Sequence, residues 1–447
     1  MSISADLYEV SMAASYVHRG MQEPATFSLF VRTLPPGRGF LVTAGLQTAL
    51  DELGRFEITA DDVRLLADLL HCDLSFVRPL TGLRFTGSVV AVPEGRVVLA
   101  GEPLLEVTAP LPQAQLVEGV VLNALTYQTA IATKAVRCVT AAAGRPVVDF
   151  SLRRAHGLEA ADAAARASAI AGFTATSNIR AAARHGLRAT GTMAHSYVQA
   201  FGDDERAFRA FAADVPVSPT FLVDTFDLAS GVRAAVRVIT ERGLPAGSAV
   251  RIDSGDLAAG ARLARSLLDD AGLAEVRIIV SGGLDEYRIA ALHAAAAPID
   301  VYAVGTALGV SADEPSLDTA YKLVELGHRP VLKLSPGKAT VPGAKQVWRR
   351  RLGPGPVDIL TLRDEDPLAD GDPLLLPVMH DGRRLRPPEP VDEAHLRLRH
   401  DLVLLPPAAL DLHHPRPPTC QTSPRLATLS DRLGAFPDSG FRESPIE

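Results

Sequence analysis

The sequence predicts an α/β fold: an irregular (β/α) barrel with a mixed α+β N-terminal domain that is completed by the C-terminal segment. Three observations carry this reading. From Pro146 onward, short apolar runs alternate with Ala-rich helical stretches, and strand–helix alternation implies parallel strands joined by right-handed crossovers. Before Pro146 the texture differs, with β-branched runs punctuated by Gly and Pro that read as a small antiparallel sheet. No G-x-G-x-x-G follows a first strand, which weakens a dinucleotide-binding open sheet. Six or so strand–helix units favour a barrel related to the (β/α)8 type.

In order along the chain, Asp6 to Gly20 reads as a helix leading into a strand, Ala25 to Val31, which ends in the loop Leu34 to Gly39. Apolar residues at three-to-four spacing make Phe40 to Leu70 helical. Ser88 to Val92, Val97 to Leu99 and Leu104 to Val107 supply the small sheet, and Val117 to Ala142 is a long Ala-rich helix. The barrel strands are Val147 to Phe150, Gly186 to Gly191, Phe221 to Asp224, Ala249 to Asp253, Val276 to Ser281 and Ile299 to Val304. Helices fall between them, such as Asp227 to Arg242 and Asp256 to Ala271. After Tyr321 the chain turns Pro-rich and the alternation fades. Leu332 to Trp348 reads as a hairpin, Pro387 to Pro407 and Leu410 to Pro424 as extended or loop segments with short helices, and the residues after Phe436 as loose. The domains are 1–143, mixed α+β; 144–330, the barrel; and 331–447, a segment packing back on the first.

Composition narrows the function classes. With 447 residues, 47% hydrophobic and 22% charged, the chain is ordinary globular material. Its net charge of -7 argues against a general nucleic-acid binder, while leaving room for a local basic pocket. Cys72, Cys138 and Cys420 are dispersed and form no C-x-x-C pair, which fits a reducing compartment and gives neither a disulfide framework nor a thiolate zinc site. Met1 to Ala14 carries Asp6 and Glu9 and lacks the pattern of a signal peptide, and no long uncharged apolar stretch reads as a membrane span. The expectation is a cytoplasmic protein without nucleic-acid or membrane partners.

Polar residues cluster where the expected barrel strands end: Asp149 to Gly157, Gly191 to Ser196, Asp224 to Asp227, Arg251 to Asp256, Ser281 to Gly283, and Gly305-Thr306. The C-terminal strand ends of a parallel barrel face one mouth, and that mouth holds the site. Six clusters in succession are hard to explain by packing alone. Ser281-Gly282-Gly283 and Gly305-Thr306 are turns feeding helices, where free N–H groups and helix dipoles suit a phosphate, although N-capped turns would look the same. Arg153, Arg154 and Arg251 bring guanidinium forks that match phosphate or carboxylate oxygens. Asp253 can hold ribose hydroxyls or Mg²⁺, whereas Asp256 reads as a helix cap. His195 is open to several roles: general base, phosphate ligand, phosphoryl acceptor or hydrogen-bonded structural histidine.

Taken together these segments resemble the nicotinate phosphoribosyltransferase family. The resemblance rests on Asp6-Leu7-Tyr8, DFSLRRAHG (149–157), GTMAHS (191–196), LVDTFD (222–227), RIDSGDL (251–257), SGGLDE (281–286), VGT (304–306), PSLDTAYKLV (315–324) and KLSPGKATVPGAKQV (333–347), and runs to roughly Trp348. It implies a barrel of the type II phosphoribosyltransferase kind and an enzyme of the ATP-dependent ligase and glycosyltransferase class. Such an enzyme forms nicotinic acid mononucleotide and pyrophosphate from nicotinate and phosphoribosyl pyrophosphate in NAD biosynthesis by salvage, with Mg²⁺ and with ATP as co-substrate. His195 matches the histidine that ATP phosphorylates, Tyr8, Thr192 and Arg251 match nicotinate contacts, and Thr306 matches a phosphoribosyl contact. A homodimer is implied, with Tyr8 supplied by the partner subunit. Ala5, Asp149, Met193 and Gly283 depart from the usual family pattern. The rival readings are a nicotinamide phosphoribosyltransferase, which would meet an amide instead of a carboxylate at Arg251, and an inactive nucleotide-binding homologue.

Overall fold

The computed structural model describes residues 4–244, 247–334, 340–352 and 355–434. The chain divides into two compact units, Met1–Thr129 with Ser316–Glu447, and Ala130–Pro315. The rhythm of the sequence set the divisions at 143 and 330. The second falls earlier because the chain after Pro315 enters strand Thr319–Leu326, which pairs antiparallel with Pro24–Val31 along most of its length. The first falls inside helix Glu118–Ala141.

The first unit is built on a seven-stranded antiparallel sheet. Its order is Arg329–Pro330, Thr319–Leu326, Pro24–Val31, Pro103–Pro110, Ser88–Ala91, Leu376–His380 and Arg383–Arg384. Three strands from the N-terminal part of the chain therefore form the middle of the sheet, flanked on each side by two from beyond residue 318. The stretch 40–70 is not one helical run: it holds strand Leu41–Val42 and helices Leu46–Arg55 and Ala60–Leu69. Thr59 starts the second helix anew, since its side chain accepts the Asp62 N–H while the Asp62 side chain takes the Thr59 N–H. The Pro-rich C-terminal region is more ordered than its composition suggests. Lys345–Leu352 and Gly355–Leu362 form a hairpin in a four-stranded sheet, and Val391–Leu404 is a helix of 14 residues. Pro390 stands at the N-cap of that helix, where its fixed φ and missing N–H cost nothing. The expected hairpin from Leu332 lies partly outside the described residues, and the tail after Phe436 lies wholly outside them.

The second unit holds one parallel sheet of six strands: β1 (Val147–Asp149), β2 (Ala175–Thr176), β3 (Thr220–Leu222), β4 (Ala249–Ile252), β5 (Arg277–Val280) and β6 (Val301–Val304). Their order is β2-β1-β6-β5-β4-β3. The last strand returns to pair with the first, and the ladder is interrupted between β2 and β3, so the barrel is a half-barrel open on one side. Strands β4 and β6 are buried at every position, as strands covered on both faces require. The second strand differs from expectation. It is Ala175–Thr176, and of the run 186–191 only Ala189 bridges to it. Gly186, at φ +66°, is the left-handed C-cap of helix Ile179–His185, so the apolar run that follows begins as a helix end.

A buried ion network braces the segments that follow the C-terminal ends of β5 and β6. Lys134, 2% exposed, lies 2.5 Å from Glu286 and 2.8 Å from Asp313, and Arg137 Nε donates to Glu286 at 2.9 Å. Burial pulls the Lys134 ammonium down, but Glu286 and Asp313 outweigh it and hold the group above its ordinary value. Glu286 opens the helix that follows β5, so the network anchors the turn of the fifth cluster. Lys134→Met removes one cation and leaves the Glu286 charge buried; the expected loss is about 3–5 kcal/mol of stability, read from the urea midpoint at unchanged slope.

Candidate active site

The site is assembled at the C-terminal ends of β1, β4, β5 and β6, with the loop and helix that cross the open side between β2 and β3. Arg251 is its centre. It is 7% exposed, on the buried strand β4, and nearly every N–H of its guanidinium is engaged. Nε donates to Ser281 Oγ at 2.8 Å, Nη1 to Thr192 Oγ1 at 2.8 Å and to the Met193 carbonyl at 3.4 Å, and Nη2 to Asp253 Oδ1 at 2.7 Å. Among the described residues these bonds occupy four of its five N–H groups. The guanidinium carbon stands 5.5 Å from the centroid of the Phe150 ring.

Asp253 closes the arrangement. Ser281 Oγ donates to Asp253 Oδ1, and the Asp253 amide donates to Asp224 Oδ2 at 2.8 Å. Burial pushes the Asp253 carboxyl up, but hydrogen bonds from Ser281 and Arg251 and the charge of Arg251 outweigh it and hold the group below its ordinary value. Ser281 is 3% exposed and its hydroxyl proton goes to Asp253, so this side chain positions Arg251 and Asp253 instead of offering a free donor. Gly282, at φ +92°, is the residue the turn requires, because a Cβ there would sit 1.9 Å from the Asp253 carbonyl oxygen. Gly283 also takes positive φ, +63°, which accounts for a glycine at this departure from the family pattern.

His195 opens helix His195–Phe201 on the chain that crosses the open side. Its Nδ1 lies 3.1 Å from Thr225 Oγ1, and its Nε2 lies 3.8 Å from Asp253 Oδ2. With one ring nitrogen engaged by a hydroxyl and 38% of the side chain exposed, Nε2 is the nitrogen left for chemistry. Gly305 caps the short helix Thr306–Gly309 beside Phe150, whose carbonyl would lie 3.3 Å from a Cβ at Gly305. Because β5 pairs with β6, the Gly282-Gly283 and Gly305-Thr306 turns stand side by side. Arg153 and Arg154 are exposed in the turn after β1, and among the described residues neither side chain pairs with a carboxylate.

The structure thus brings Thr192, His195, Arg251, Asp253, Ser281 and Gly282 into one network, with Gly305 and Thr306 on the next strand end. Asp256 caps helix Leu257–Asp270, as its sequence position suggests. Tyr8 belongs to the other unit, on the first turn of helix Leu7–His18, and is half exposed. Asp149 faces inward: 1% exposed, it accepts from the Ser151 amide at 2.8 Å and from Thr176 Oγ1 at 2.6 Å, tying the end of β1 to β2. Burial raises its carboxyl despite those bonds. Phe150, Asp224 and Thr225 went unassigned in the sequence. Each sat inside a polar cluster, but only the folded mouth shows that Phe150 underlies Arg251, that Asp224 grips the Asp253 amide and the Ser254 hydroxyl, and that Thr225 meets His195.

A parallel half-barrel with glycine turns on adjacent late strands and an arginine buried at the mouth is the fold of the type II phosphoribosyltransferases. Residues 3–126 match the nicotinate phosphoribosyltransferase N-terminal domain, and residues 146–335 match the nicotinate phosphoribosyltransferase family. A nicotinate phosphoribosyltransferase of Mycobacterium tuberculosis is 46% identical over 408 residues, covering 91% of this chain and 88% of the relative. One of Bacillus subtilis is 40% identical over 358 residues, covering 78% and 73%. The crystal structure of human nicotinic acid phosphoribosyltransferase superposes with a TM-score of 0.85 at 27% identity, over 96% of this chain and 100% of that one. That of a nicotinate-nucleotide pyrophosphorylase from Pyrococcus furiosus gives 0.73 at 24% identity, over 89% and 94%, and shares the fold. The chain belongs to the nicotinate phosphoribosyltransferase family. Among the described residues, no helix is long and apolar enough to cross a membrane.

The hydrogen bonds around Ser281 make a direct prediction. Ser281→Ala leaves Arg251 Nε unpaired and takes a donor from Asp253, at an expected cost of about 1–3 kcal/mol. Because the folded Asp253 carboxyl lies below its ordinary value of 3.8, its stabilisation is present above that value and lost as pH falls through the lowered one. In Ser281→Ala the loss moves to higher pH, and carboxyl carbon chemical shifts of Asp253 followed through an acid titration check it.

Proposed function

We propose that this chain joins nicotinate to phosphoribosyl pyrophosphate, giving nicotinic acid mononucleotide and pyrophosphate, and that it couples the reaction to ATP hydrolysis through phosphorylation of His195. The observation that carries the reading is Arg251: a buried cation at the barrel mouth, held by Ser281, Thr192 and Asp253, above the face of Phe150. The aromatic face suits a pyridine ring. The remaining N–H of Arg251 suits a carboxylate, which a cation prefers to the neutral amide of nicotinamide, while the Thr192 hydroxyl, which donates to the Met193 carbonyl at 3.1 Å, positions Arg251.

The chemistry asks little of proton transfer. The ring nitrogen of nicotinate carries a free lone pair, which forms the bond to C1 of the ribose as the bond to pyrophosphate breaks and its electron pair leaves with the phosphate. The transition state is oxocarbenium-like, so catalysis is positioning and charge stabilisation. In this reading the N–H groups of the Gly282-Gly283 and Gly305-Thr306 turns hold the ribose phosphate, Arg153 and Arg154 meet phosphate oxygens, and Asp253 faces the ribose hydroxyls. Tyr8 covers the pyridine ring, supplied by the partner subunit of a homodimer.

Mg²⁺ fits this site as a companion of the substrate phosphates. Among the described residues no group of three or more His, Cys, Asp or Glu side chains could hold a metal ion. The oxygens that would hold one are Asp253 Oδ2 and the buried Asp224 Oδ1, which has no hydrogen-bond partner among the described residues. Two carboxylates plus phosphate oxygens and water are a common magnesium environment, and the ion would neutralise charge on the departing pyrophosphate.

In the coupling step the γ-phosphoryl of ATP moves to His195 Nε2, an N–P bond replacing a P–O bond, and hydrolysis later releases phosphate. Thr225 at Nδ1 keeps Nε2 facing the mouth. The added charge would bias the loops around His195 and tighten substrate binding. The product, a pyridine nucleotide, suits a role in NAD biosynthesis by salvage, and the dispersed cysteines suit a reducing compartment such as the cytoplasm.

The primary test is product formation from nicotinate, phosphoribosyl pyrophosphate and Mg²⁺, with and without ATP, beside nicotinamide. Nicotinic acid mononucleotide, formed faster with ATP, is the expected result; product from nicotinamide alone, or none from either substrate, sinks the reading. His195→Asn is expected to keep the ATP-independent rate and to lose both ATP stimulation and acid-labile label from γ-labelled ATP; full ATP-coupled turnover in that variant excludes His195 as the acceptor. Arg251→Lys keeps the charge but not the fork, and is expected to lower kcat/KM for nicotinate about 100-fold.

A further inference from the structure

Two glycine turns stand side by side at the barrel mouth, yet the strands beneath them stop pairing before the turns begin. The parallel register of β5 on β6 runs from Ile279 opposite Val301 to Val280 opposite Tyr302. The Gly282-Gly283 and Gly305-Thr306 turns lie beyond it, so this ladder does not set the distance between them. A buried side chain from a third element reaches both.

Lys134 lies in the part of helix Glu118–Ala141 that belongs to the second unit. Its ammonium, 2.5 Å from Glu286 Oε2 and 2.8 Å from Asp313 Oδ1, joins two separate segments. Glu286 is the first residue of helix Glu286–Ala294, just after the Gly282-Gly283 turn. One turn along the long helix, Arg137 Nε donates to Glu286 Oε1 at 2.9 Å and Nη2 donates to the Tyr287 hydroxyl at 3.0 Å. The guanidinium carbon stands 5.6 Å from the centre of the Tyr287 ring. Two cations thus clamp the start of the helix that follows β5. Asp313 belongs to the segment that follows β6. There the Gly309 amide donates to the Gly305 carbonyl at 3.0 Å, Val310 to Thr306 at 3.3 Å, Ala312 to Ala307 at 3.0 Å and Glu314 to Ser311 at 2.8 Å. Gly305 through Glu314 is therefore one hydrogen-bonded piece, with Ser311 fully buried inside it.

Two cations and two carboxylates balance in this network. An ammonium is a compact charge with three rotatable donors, so it can serve acids on two different elements. Burial makes each contact costly to break, because a severed partner stays behind as an unpaired charge away from water. A bridge of this kind resists both the approach and the separation of the segments it joins.

We propose that Lys134 is a positioning residue for phosphoribosyl pyrophosphate: held between Glu286 and Asp313, it fixes the distance between the two glycine turns and so the match of their N–H groups to one phosphate. This rests on the reading above, in which those turns hold the ribose phosphate. Mismatched turns weaken that substrate and spare nicotinate, which meets Arg251.

Lys134→Met strands Glu286 in the core and reports on stability, so the bridge is better cut at its more exposed end. The Asp313 side chain is 28% exposed, and Asp313→Ala leaves Lys134 and Arg137 both on Glu286. KM for phosphoribosyl pyrophosphate, measured without ATP, is expected to rise about tenfold in Asp313→Ala, with kcat and KM for nicotinate within about twofold of wild type. Asp313→Asn, which keeps an acceptor but not the charge, is expected to fall between the two. Arg137→Gln weakens the same network without cutting the bridge: its Tm is expected to fall while its KM for phosphoribosyl pyrophosphate stays that of the wild type. The rise in Tm on adding phosphoribosyl pyrophosphate ranks the same proteins without turnover. Unchanged affinity for phosphoribosyl pyrophosphate in Asp313→Ala, equal weakening of both substrates, or equal weakening in Arg137→Gln overturns the proposal, while product from the wild type keeps the functional reading. A wild type that phosphoribosyl pyrophosphate stabilises, more weakly in Asp313→Ala, but that forms no product from nicotinate upholds the bridge and overturns the nicotinate reading. A wild type that phosphoribosyl pyrophosphate does not stabilise overturns both.

Discussion

A guanidinium charge buried at the end of a parallel strand sets the terms for everything around it. Arg251 cannot stay charged at 7% exposure unless its donors are met, and the partners that meet them are recruited from three different segments of the chain: Ser281 after β5, Thr192 and Met193 from the segment crossing the open side, and Asp253 from its own strand end. Each partner is thereby held as firmly as the arginine. Asp253 is kept ionised by the cation it serves, and Ser281 orients both. The mouth is stiff because its charges would be costly to leave unpaired, and stiffness is what a reaction dependent on positioning needs.

The opening of the barrel is the second constraint. A closed ladder would leave no room at the mouth for a helix carrying a histidine. Here β2 is two residues long and β3 does not pair with it, so the connection between them brings Thr192 and His195 to the strand ends from the side. The late strands do the opposite work. They are paired on both sides, and their turns are fixed by backbone contacts such as that of Gly282 with the Asp253 carbonyl, which leaves N–H groups rigidly presented. Side chains with variable roles enter at the open edge, while fixed backbone donors line the closed one.

The first unit obeys different physics. Its antiparallel sheet flanks the strands of residues 24–110 on both sides with strands from 319–384, so neither end of the chain forms this sheet without the other. That accounts for the C-terminal region reading poorly as sequence. Its strands pair with partners hundreds of residues away, and its prolines are absorbed locally, Pro390 at a helix cap and Pro377 at a register shift of its strand. Glu9 shows the same dependence at the level of one group: as a residue near the N-terminus it looks like a solvated charge, and the fold buries it completely.

What the sequence determined by itself was local and periodic. The strand–helix alternation, the long helix Glu118–Ala141, the cap at Asp256 and five of the six polar clusters at strand ends are all written in short windows, because hydrophobic period and turn chemistry act over a few residues. The motif order also pointed to the family. Tertiary structure alone decided the length of β2, the break between β2 and β3, the assignment of strand Thr319–Leu326 to the first unit, and the partners of single side chains. Phe150 beneath Arg251, Thr225 on His195 and Asp224 on Asp253 depend on which strand ends converge, and convergence is a long-range property fixed by the closing of β6 onto β1.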